Sequence, residues 1–283
     1  MHLSRLDNEV IFKKAFTDKL VFTQFVKDVI GIDIKVGKIE TEKRFKPKIG
    51  YIDFAYDIFA ESTDNRIIIE IQRVKYDYNF DRFLHYHNMA IAELQKSAND
   101  YKIKPTIYTI VVLTSPTIIK DKEGGEIKND ILISDMNPRD LAGNVVNCYG
   151  HQLIFLNPNF KTAKTPPAIK DWFNLILESI ENPENPKINL KKRAIKKAVK
   201  LIESDNITPE ERRVSKIAAA TEETRKLVEQ YAKEEGQKEG RKEGKMEEKK
   251  ENAQKMLAKG FDVETIAEIT GLDAETINQL EME

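Results

Sequence analysis

The stretch Tyr56-Asp57-Ile58-Phe59-Ala60-Glu61, with Ile67-Ile68-Ile69-Glu70-Ile71-Gln72 after it, decides the fold of this chain. Both runs are rich in β-branched and aromatic residues, and residues 62–66 between them are polar turn formers. Two such runs joined by a short polar segment are typical of a β-hairpin. With the turn centred on Asp64-Asn65, Asp57 faces Gln72 across the hairpin.

The hairpin brings two acidic side chains together. Because side chains alternate between the faces of a strand, Asp57, Glu70 and Gln72 are expected on the same face as Phe59. Asp57 and Glu70 are then diagonal neighbours with Cα atoms roughly 7–8 Å apart, close enough for both carboxylates to bind one divalent cation. Such an ion would offset the cost of burying an unpaired carboxylate. The hairpin alone leaves a second interpretation open, in which both acids are solvated on an ordinary amphipathic hairpin.

The order of these residues resembles the core motif of PD-(D/E)XK nucleases, with Asp57 before the turn and Glu70-Ile71-Gln72 after it. The closer resemblance is to the Rpn family of recombination-promoting nucleases, also described as PD-(D/E)XK nuclease family transposases. In that family glutamine commonly replaces the lysine of the motif. Tyr56 stands where the general motif has proline, which is a departure.

The resemblance implies a metal-dependent DNA endonuclease that acts in recombination or transposition-type rearrangement, or in defence against foreign DNA. It implies that Asp57 and Glu70 bind Mg²⁺, with Mn²⁺ or Ca²⁺ as substitutes and the backbone carbonyl of Ile71 as a further ligand. Gln72 would orient the attacking water but brings no charge. Related folds often place an acid of the first helix near the metal, and Glu9 is the candidate here; a solvated acid at a helix start is the alternative.

The periodicity along the chain agrees with this fold. The sequence shows, in this order, a helical spacing that ends at Gly31, alternating strands, a second helix and a continuous apolar strand. The predicted elements are helix, three strands, helix and strand, over residues 7–30, 35–44, 51–61, 67–73, 81–97 and 107–113. This αβββαβ order predicts an α/β fold of the PD-(D/E)XK restriction-endonuclease-like class, with a mixed central sheet flanked by helices. A strand over 152–156 and a helix around Trp172 complete a nuclease domain over residues 1–180.

DNA contacts must come from local patches, because the 283-residue chain has a net charge of −1. Residues 187–200 carry seven cations and no acid, which favours a phosphate-binding helix face or a merely solvated one. Arg82, on the helix after the motif, is expected near the active site or paired with a neighbouring carboxylate. The candidate DNA-binding residues are Arg82, Lys192, Arg193 and Lys196.

The C-terminal third of the chain is predicted to be mostly helical. A partly basic extension covers residues 181–233, and a Glu-Gly repeat of period four covers 234–255. Each glycine costs about 1 kcal/mol in a helix, so close contact with another helix is expected to recover that cost. Residues 234–283 are therefore predicted to mediate homo-oligomerisation or to bind a helical protein.

A small helix-turn-helix-like module is predicted over residues 256–283. Its second helix carries Asp273 and Glu275 and no basic residue. These acids favour a helical interaction module over a DNA reader.

Several classes of protein are excluded or disfavoured by composition. The single cysteine, Cys148, excludes an intramolecular disulfide and a cysteine-based zinc site. No apolar run reaches the roughly 18 residues of a membrane helix, and the N-terminal residues lack the apolar region of a signal peptide, so no membrane partner and a cytoplasmic location are expected.

Two other functions stay open at the level of sequence. One is a nuclease-fold protein with weak or lost catalysis that serves as an oligomeric DNA- or protein-binding scaffold. The presence of Asp57, Glu70 and Gln72 together favours the enzyme. The other is a transposase in the full sense, which joins strands as well as cutting them.

Overall fold

The computed structural model describes residues 1–44, 55–72, 79–94, 103–115 and 119–281. The chain forms two compact units, Met1–Ala218 and Ala219–Glu283. The first unit contains the predicted hairpin and the sheet around it.

The first unit is built on a six-stranded mixed sheet. The strands, in chain order, are β1 (Ile39–Arg44), β2 (Ala55–Glu61), β3 (Asn65–Gln72), β4 (Thr106–Leu113), β5 (Ile119–Lys120), β6 (Glu126–Ile127), β7 (Ile131–Asp135) and β8 (Gln152–Leu156). The order in the sheet is β1-β2-β3-β4-β8-β7, and β5 and β6 form a separate hairpin. The first three strands pair antiparallel, β3, β4 and β8 run parallel, and β7 pairs antiparallel with β8.

The helices are α1 (Glu9–Phe16), α2 (Lys19–Ile30), α3 (Asn79–Glu93), α4 (Pro167–Glu181), α5 (Arg193–Ile202), α6 (Pro209–Leu257), α7 (Val263–Thr270) and α8 (Ala274–Glu281). The prediction of one helix over 7–30 is wrong, because the first helix ends before Asp18 and a second helix begins after it. The Asp18 carboxylate accepts hydrogen bonds from the backbone N–H groups of Leu20 and Val21 and so caps a new helix. Gly31 ends α2 with a φ of 77°, as the glycine predicts.

Helices cover both faces of the sheet. On one face α1, α2, α4 and α5 enclose a cluster that contains Ile58, Ala60 and Ile69 of the hairpin. On the other face α3 packs on a second cluster that contains Phe59 and Ile68. These mixed layers confirm the predicted α/β nuclease-like fold class and show that the hairpin is buried on both sides.

The observed elements are close to the predicted ones, and the largest difference in extent is at the start of β1. β1 begins at Ile39, four residues later than predicted. The predicted continuations over 51–54, 73 and 95–97 lie outside the described residues. Between β4 and β8 in the chain, β7 extends the sheet at the edge of β8.

α5 belongs to the first unit. It buries an apolar face in the same cluster as α1 and α2, and this compact unit continues to Ala218, past residue 180. The residues that form this face are Ala194, Ile195, Ala198, Val199 and Ile202.

The Glu-Gly repeat lies within the 49-residue helix α6. Apart from the neighbouring residues and backbone of α6 itself, no heavy atom of the described residues lies within 4 Å of a Cβ placed at Gly236, Gly240 or Gly244, so this stripe has room for a close helix contact. Self-association or binding of a helical protein through residues 234–283 stays a prediction.

The end of the second unit forms a small helical module. α7 and α8 pack on the last turns of α6 through Ala253, Ile266 and Ile277. Gly271, with a φ of 64°, makes the turn between the two helices. Among the described residues, no helix combines the length and the apolar character needed to cross a membrane.

Candidate active site

The register of the β2–β3 hairpin places Asp57 and Glu70 at the same level. The strands pair Phe59 with Ile68 and Ile58 with Ile69, so Asp57 and Glu70 are the next two residues beyond the last regular pair. The predicted pairing of Asp57 with Gln72 is therefore wrong by two residues. The reason is the turn, which Ser62 closes early: its N–H donates to the Asn65 carbonyl and its Oγ accepts from the Asn65 N–H.

Where β2 and β3 separate, hydrogen bonds to the carboxylates of Asp57 and Glu70 replace the backbone hydrogen bonds between the strands. Regular pairing ends at Ile58 and Ile69. Beyond it the Asp57 N–H donates to Glu70 Oε1 at 3.2 Å, and the Ile71 N–H donates to Asp57 Oδ2 at 2.9 Å. We call Asp57 and Glu70 the acid fork. Each of its carboxylates is held by a backbone N–H of the opposite strand.

Side-chain alternation in β2 is broken at the acid fork. Tyr56 packs with Phe59 in the cluster under α3, although strict alternation would place Tyr56 with Ile58 on the other face. Asp57 is thereby turned toward α1, where its Oδ1 lies 3.4 Å from Lys13 Nζ. The prediction that Asp57 shares a face with Phe59 is wrong for this reason.

Three carboxylates from three elements meet on the α1 side. Glu9 of α1, Glu42 of β1 and Asp57 of β2 each have a carboxylate oxygen within 4.8 Å of the others. We call these residues the acidic cage. Hard divalent cations such as Mg²⁺, Mn²⁺ and Ca²⁺ prefer such oxygen ligands. Glu70 is not one of the three, and Asp57 belongs to both the fork and the cage.

Lys13 lies among the acids of the cage. Its ammonium forms ion pairs with Glu9, Glu42 and Asp57. Sequence reasoning missed Lys13 and Glu42. Lys13 could have been found from the sequence, because it follows Glu9 by four residues on one helix and residues so spaced can form an ion pair. Glu42 carried no such signal within its own strand; it lies opposite Asp57 in the β1–β2 register, with a φ of 53°.

Burial makes the ionised acids of the site unfavourable. It raises the pKa of Asp57 to about 6, against the opposing charge of Lys13. Burial and the negative charge of Asp57 raise the pKa of Glu70 well above its usual range. Glu70 is 1% exposed. A divalent cation would remove this electrostatic cost, so the donor set fits such an ion.

Gln72 and Arg82 lie on the α3 side of the acid fork. Arg82 Nη1 donates to Gln72 Oε1 at 3.4 Å, and Arg82 Nε donates to the hydroxyl of Tyr86 at 3.1 Å. The guanidinium lies over the Tyr86 ring at 5.1 Å, and its charge acts to lower the pKa of Glu70 against the larger effect of burial. The structure therefore brings Arg82 to the motif residues. A role for Arg82 on DNA, and for the Ile71 carbonyl as a ligand, stays a prediction.

The basic residues of α5 lie on a different surface. Lys192 pairs with Asp171 at 2.9 Å. Arg193 and Lys196 are exposed and line an open groove with Lys19, Lys197 and Lys200. In the described part of the chain, Lys192, Arg193 and Lys196 form no ion pair with the acid fork or the acidic cage. Their contact with DNA stays a prediction.

A mixed sheet with this strand and helix order, and an acid fork at its centre, defines the PD-(D/E)XK class of nuclease folds. The family model described as PD-(D/E)XK nuclease family transposase matches residues 8–232, which is most of the chain, so the chain belongs to that family. This membership confirms the resemblance stated from the hairpin and supports a nuclease-type function. Neither the curated proteins nor the solved structures gave a match.

A second family model, for the C-terminal HTH domain of the Rpn/YhgA-like nuclease family, matches residues 247–282. The helix-turn-helix prediction is confirmed. Asp273 caps α8, because its carboxylate accepts the Thr276 N–H at 2.7 Å at the start of that helix. An HTH domain suggests DNA binding, against the expectation of a helical interaction module, and Asp273 and Glu275 remain exposed acids at the start of α8.

Proposed function

We propose that this protein is an Mg²⁺-dependent DNA endonuclease that hydrolyses phosphodiester bonds. The observation that carries the proposal is the acid fork, in which a buried Glu70 and a half-buried Asp57 lie side by side and are held by backbone N–H groups. Buried acids without a cation destabilise a fold, and a role in catalysis explains their presence. Family membership supports the nuclease chemistry.

Asp57, Glu70 and the two other acids of the cage would hold one or two Mg²⁺ ions. Bound Mg²⁺ supplies positive charge to the reacting phosphate and lowers the pKa of a water. Asp57 can serve both sides, because Oδ1 faces the cage and Oδ2 accepts the Ile71 N–H beside Glu70. Gln72 orients the attacking water, and Arg82 keeps the Gln72 oxygen in position. Mn²⁺ or Ca²⁺ would bind the same oxygens.

The assay that tests the function uses supercoiled plasmid and the full-length protein. We expect nicked or linear product with Mg²⁺ or Mn²⁺ and none with EDTA. Absence of cleavage with each metal, from protein shown to be folded, would favour the scaffold function instead. Product analysis on a gel separates cleavage from strand transfer, since only a transposase in the full sense joins its DNA ends to a target.

Arg82 is expected to contact the DNA backbone. Arg82→Gln should weaken binding to uncleaved DNA in EDTA and reduce the salt dependence of binding by about one phosphate contact. Fluorescence anisotropy across a salt series measures both quantities. The matched variant Arg193→Gln tests the α5 surface in the same assay. Unchanged affinity and salt slope in Arg82→Gln would show that the guanidinium only supports Gln72.

The biological role that we propose is DNA recombination or transposition-type rearrangement, or defence against foreign DNA. The HTH domain over residues 247–282 supports this assignment, because a second DNA-binding element would retain the nuclease on its substrate. Comparing DNA affinity of the full chain with and without competitor DNA, in a variant that cannot cleave, measures this retention.

A further inference from the structure

Lys13 makes an unusual set of contacts for a lysine. Its ammonium pairs with carboxylates of three different elements, Glu9, Glu42 and Asp57. Its side chain is 13% exposed, whereas surface ion pairs commonly involve mobile, solvated side chains. Lys13 is thus the cation that pairs with all three carboxylates of the acidic cage, of which Glu9 and Glu42 are exposed and Asp57 is half-buried.

The ammonium of Lys13 and a divalent cation would occupy the same place. The cage oxygens lie within 4.8 Å of one another. Ligand distances of about 2.0–2.6 Å suit Mg²⁺ or Ca²⁺ at the centre of such a group. The Lys13 ammonium contacts the same three carboxylates, and two cations cannot share one small cage because they repel strongly.

The Lys13 side chain can leave the cage without a change in the fold. Lysine carries its charge on a flexible four-carbon stem, and the backbone of Lys13 stays in α1 when the stem swings out. Its charge also explains how the cage is kept together before a metal binds. Without a cation there, the three carboxylates would repel one another and separate.

We propose that Lys13 is a placeholder cation: it holds Glu9, Glu42 and Asp57 in position in the metal-free protein and gives way when a divalent ion binds. Lys13 is therefore a positioning residue that acts through the metal ligands and lowers the apparent metal affinity. This inference rests on the proposed function, because it takes the acidic cage as a metal site.

The test measures Mn²⁺ binding by isothermal titration calorimetry at pH 8 without DNA. Lys13→Met removes the competing charge and should lower the Kd for Mn²⁺ roughly tenfold or more, whereas Lys13→Arg keeps the charge and should bind Mn²⁺ as weakly as the wild type does. Lys14→Met is the matched control on the same helix. Lys14 pairs with Glu211 at 2.6 Å, and its loss should leave the Kd unchanged.

The other outcomes overturn the inference in distinguishable ways. An unchanged or higher Kd in Lys13→Met, with normal binding by the wild type, rejects the placeholder and leaves the proposed nuclease intact. A lower Kd in Lys14→Met as well would mean that net charge alone sets the affinity, which also rejects it. Mn²⁺ binding by neither wild type nor Lys13→Met rejects both the placeholder and the metal site. Circular dichroism of each variant verifies the fold.

Discussion

Asp57→Asn and Glu70→Gln should each reduce metal-dependent plasmid cleavage roughly 10³-fold. A metal ion contributes several kcal/mol to stabilising the charge of the reacting phosphate, and each 1.36 kcal/mol is a factor of ten in rate. Each substitution removes one proposed charged ligand, and Asp57→Asn also loses the ion pair with Lys13. The asparagine oxygen can still accept the Ile71 N–H, and the glutamine oxygen can still accept the Asp57 N–H. Initial rates of nicking at saturating Mg²⁺ measure the loss.

The control for these variants is Glu40→Gln. Glu40 lies on β1 near the site, but it pairs with Lys38 and Lys43 and is outside the acidic cage. The Glu40→Gln variant should cleave plasmid at the wild-type rate. Cleavage by Asp57→Asn within a few-fold of the wild type would reject Asp57 as a metal ligand, and the scaffold function would then explain the fold better.

The hairpin was predictable because its chemistry is local. Two apolar runs around a polar turn specify adjacent antiparallel strands, and the acids follow from their positions in those runs. The register was not predictable to the residue, since the hydroxyl of Ser62 closes the turn earlier than expected and the pairing shifts by two residues. A shift of two residues leaves the parity of β3 unchanged, so Glu70 and Gln72 still lie on the face that was expected.

The remainder of the site depends on contacts that sequence spacing does not encode. Strict alternation fails at Tyr56 because its ring is buried under α3 and its hydroxyl donates to the Tyr86 carbonyl at 2.9 Å. That packing turns Asp57 toward α1. Glu42 lies opposite Asp57 in the β1–β2 register, and this register depends on strand pairing that the spacing within β1 does not encode. Such irregularities arise from tertiary packing, and they concentrate at functional sites.

The contribution of Asp57 should make the metal-free protein less stable as the pH rises from about 4 to about 6. The pKa of Asp57 is about 6 in the folded protein and 3.8 as its ordinary value. Below both values Asp57 is protonated in either state and contributes nothing. Between them the unfolded chain ionises first, so rising pH favours unfolding. Above about 6 the full cost is present, and two pKa units correspond to roughly 3 kcal/mol.

Asp57→Asn therefore should stabilise the protein in EDTA at pH 8, which is the reverse of the usual effect of removing an ion-paired acid. The expected gain is roughly 6–12 °C in Tm for a unit of this size, and it should disappear near pH 4. Thermal unfolding of wild type and variant across pH measures the difference, and subtraction removes the contribution of the carboxylates that do not interact with Asp57.

Metal should reverse the order of stability. A ligand that binds only the folded state stabilises it by mass action, so millimolar Mn²⁺ should raise the Tm of the wild type and leave Asp57→Asn nearly unchanged. The buried charge that destabilises the metal-free fold is then the same charge that binds the ion. A less stable Asp57→Asn in EDTA at pH 8 would mean that the ion pair with Lys13 outweighs the burial of Asp57. The acid fork would then stabilise the fold without any metal, and its burial would no longer support a catalytic role.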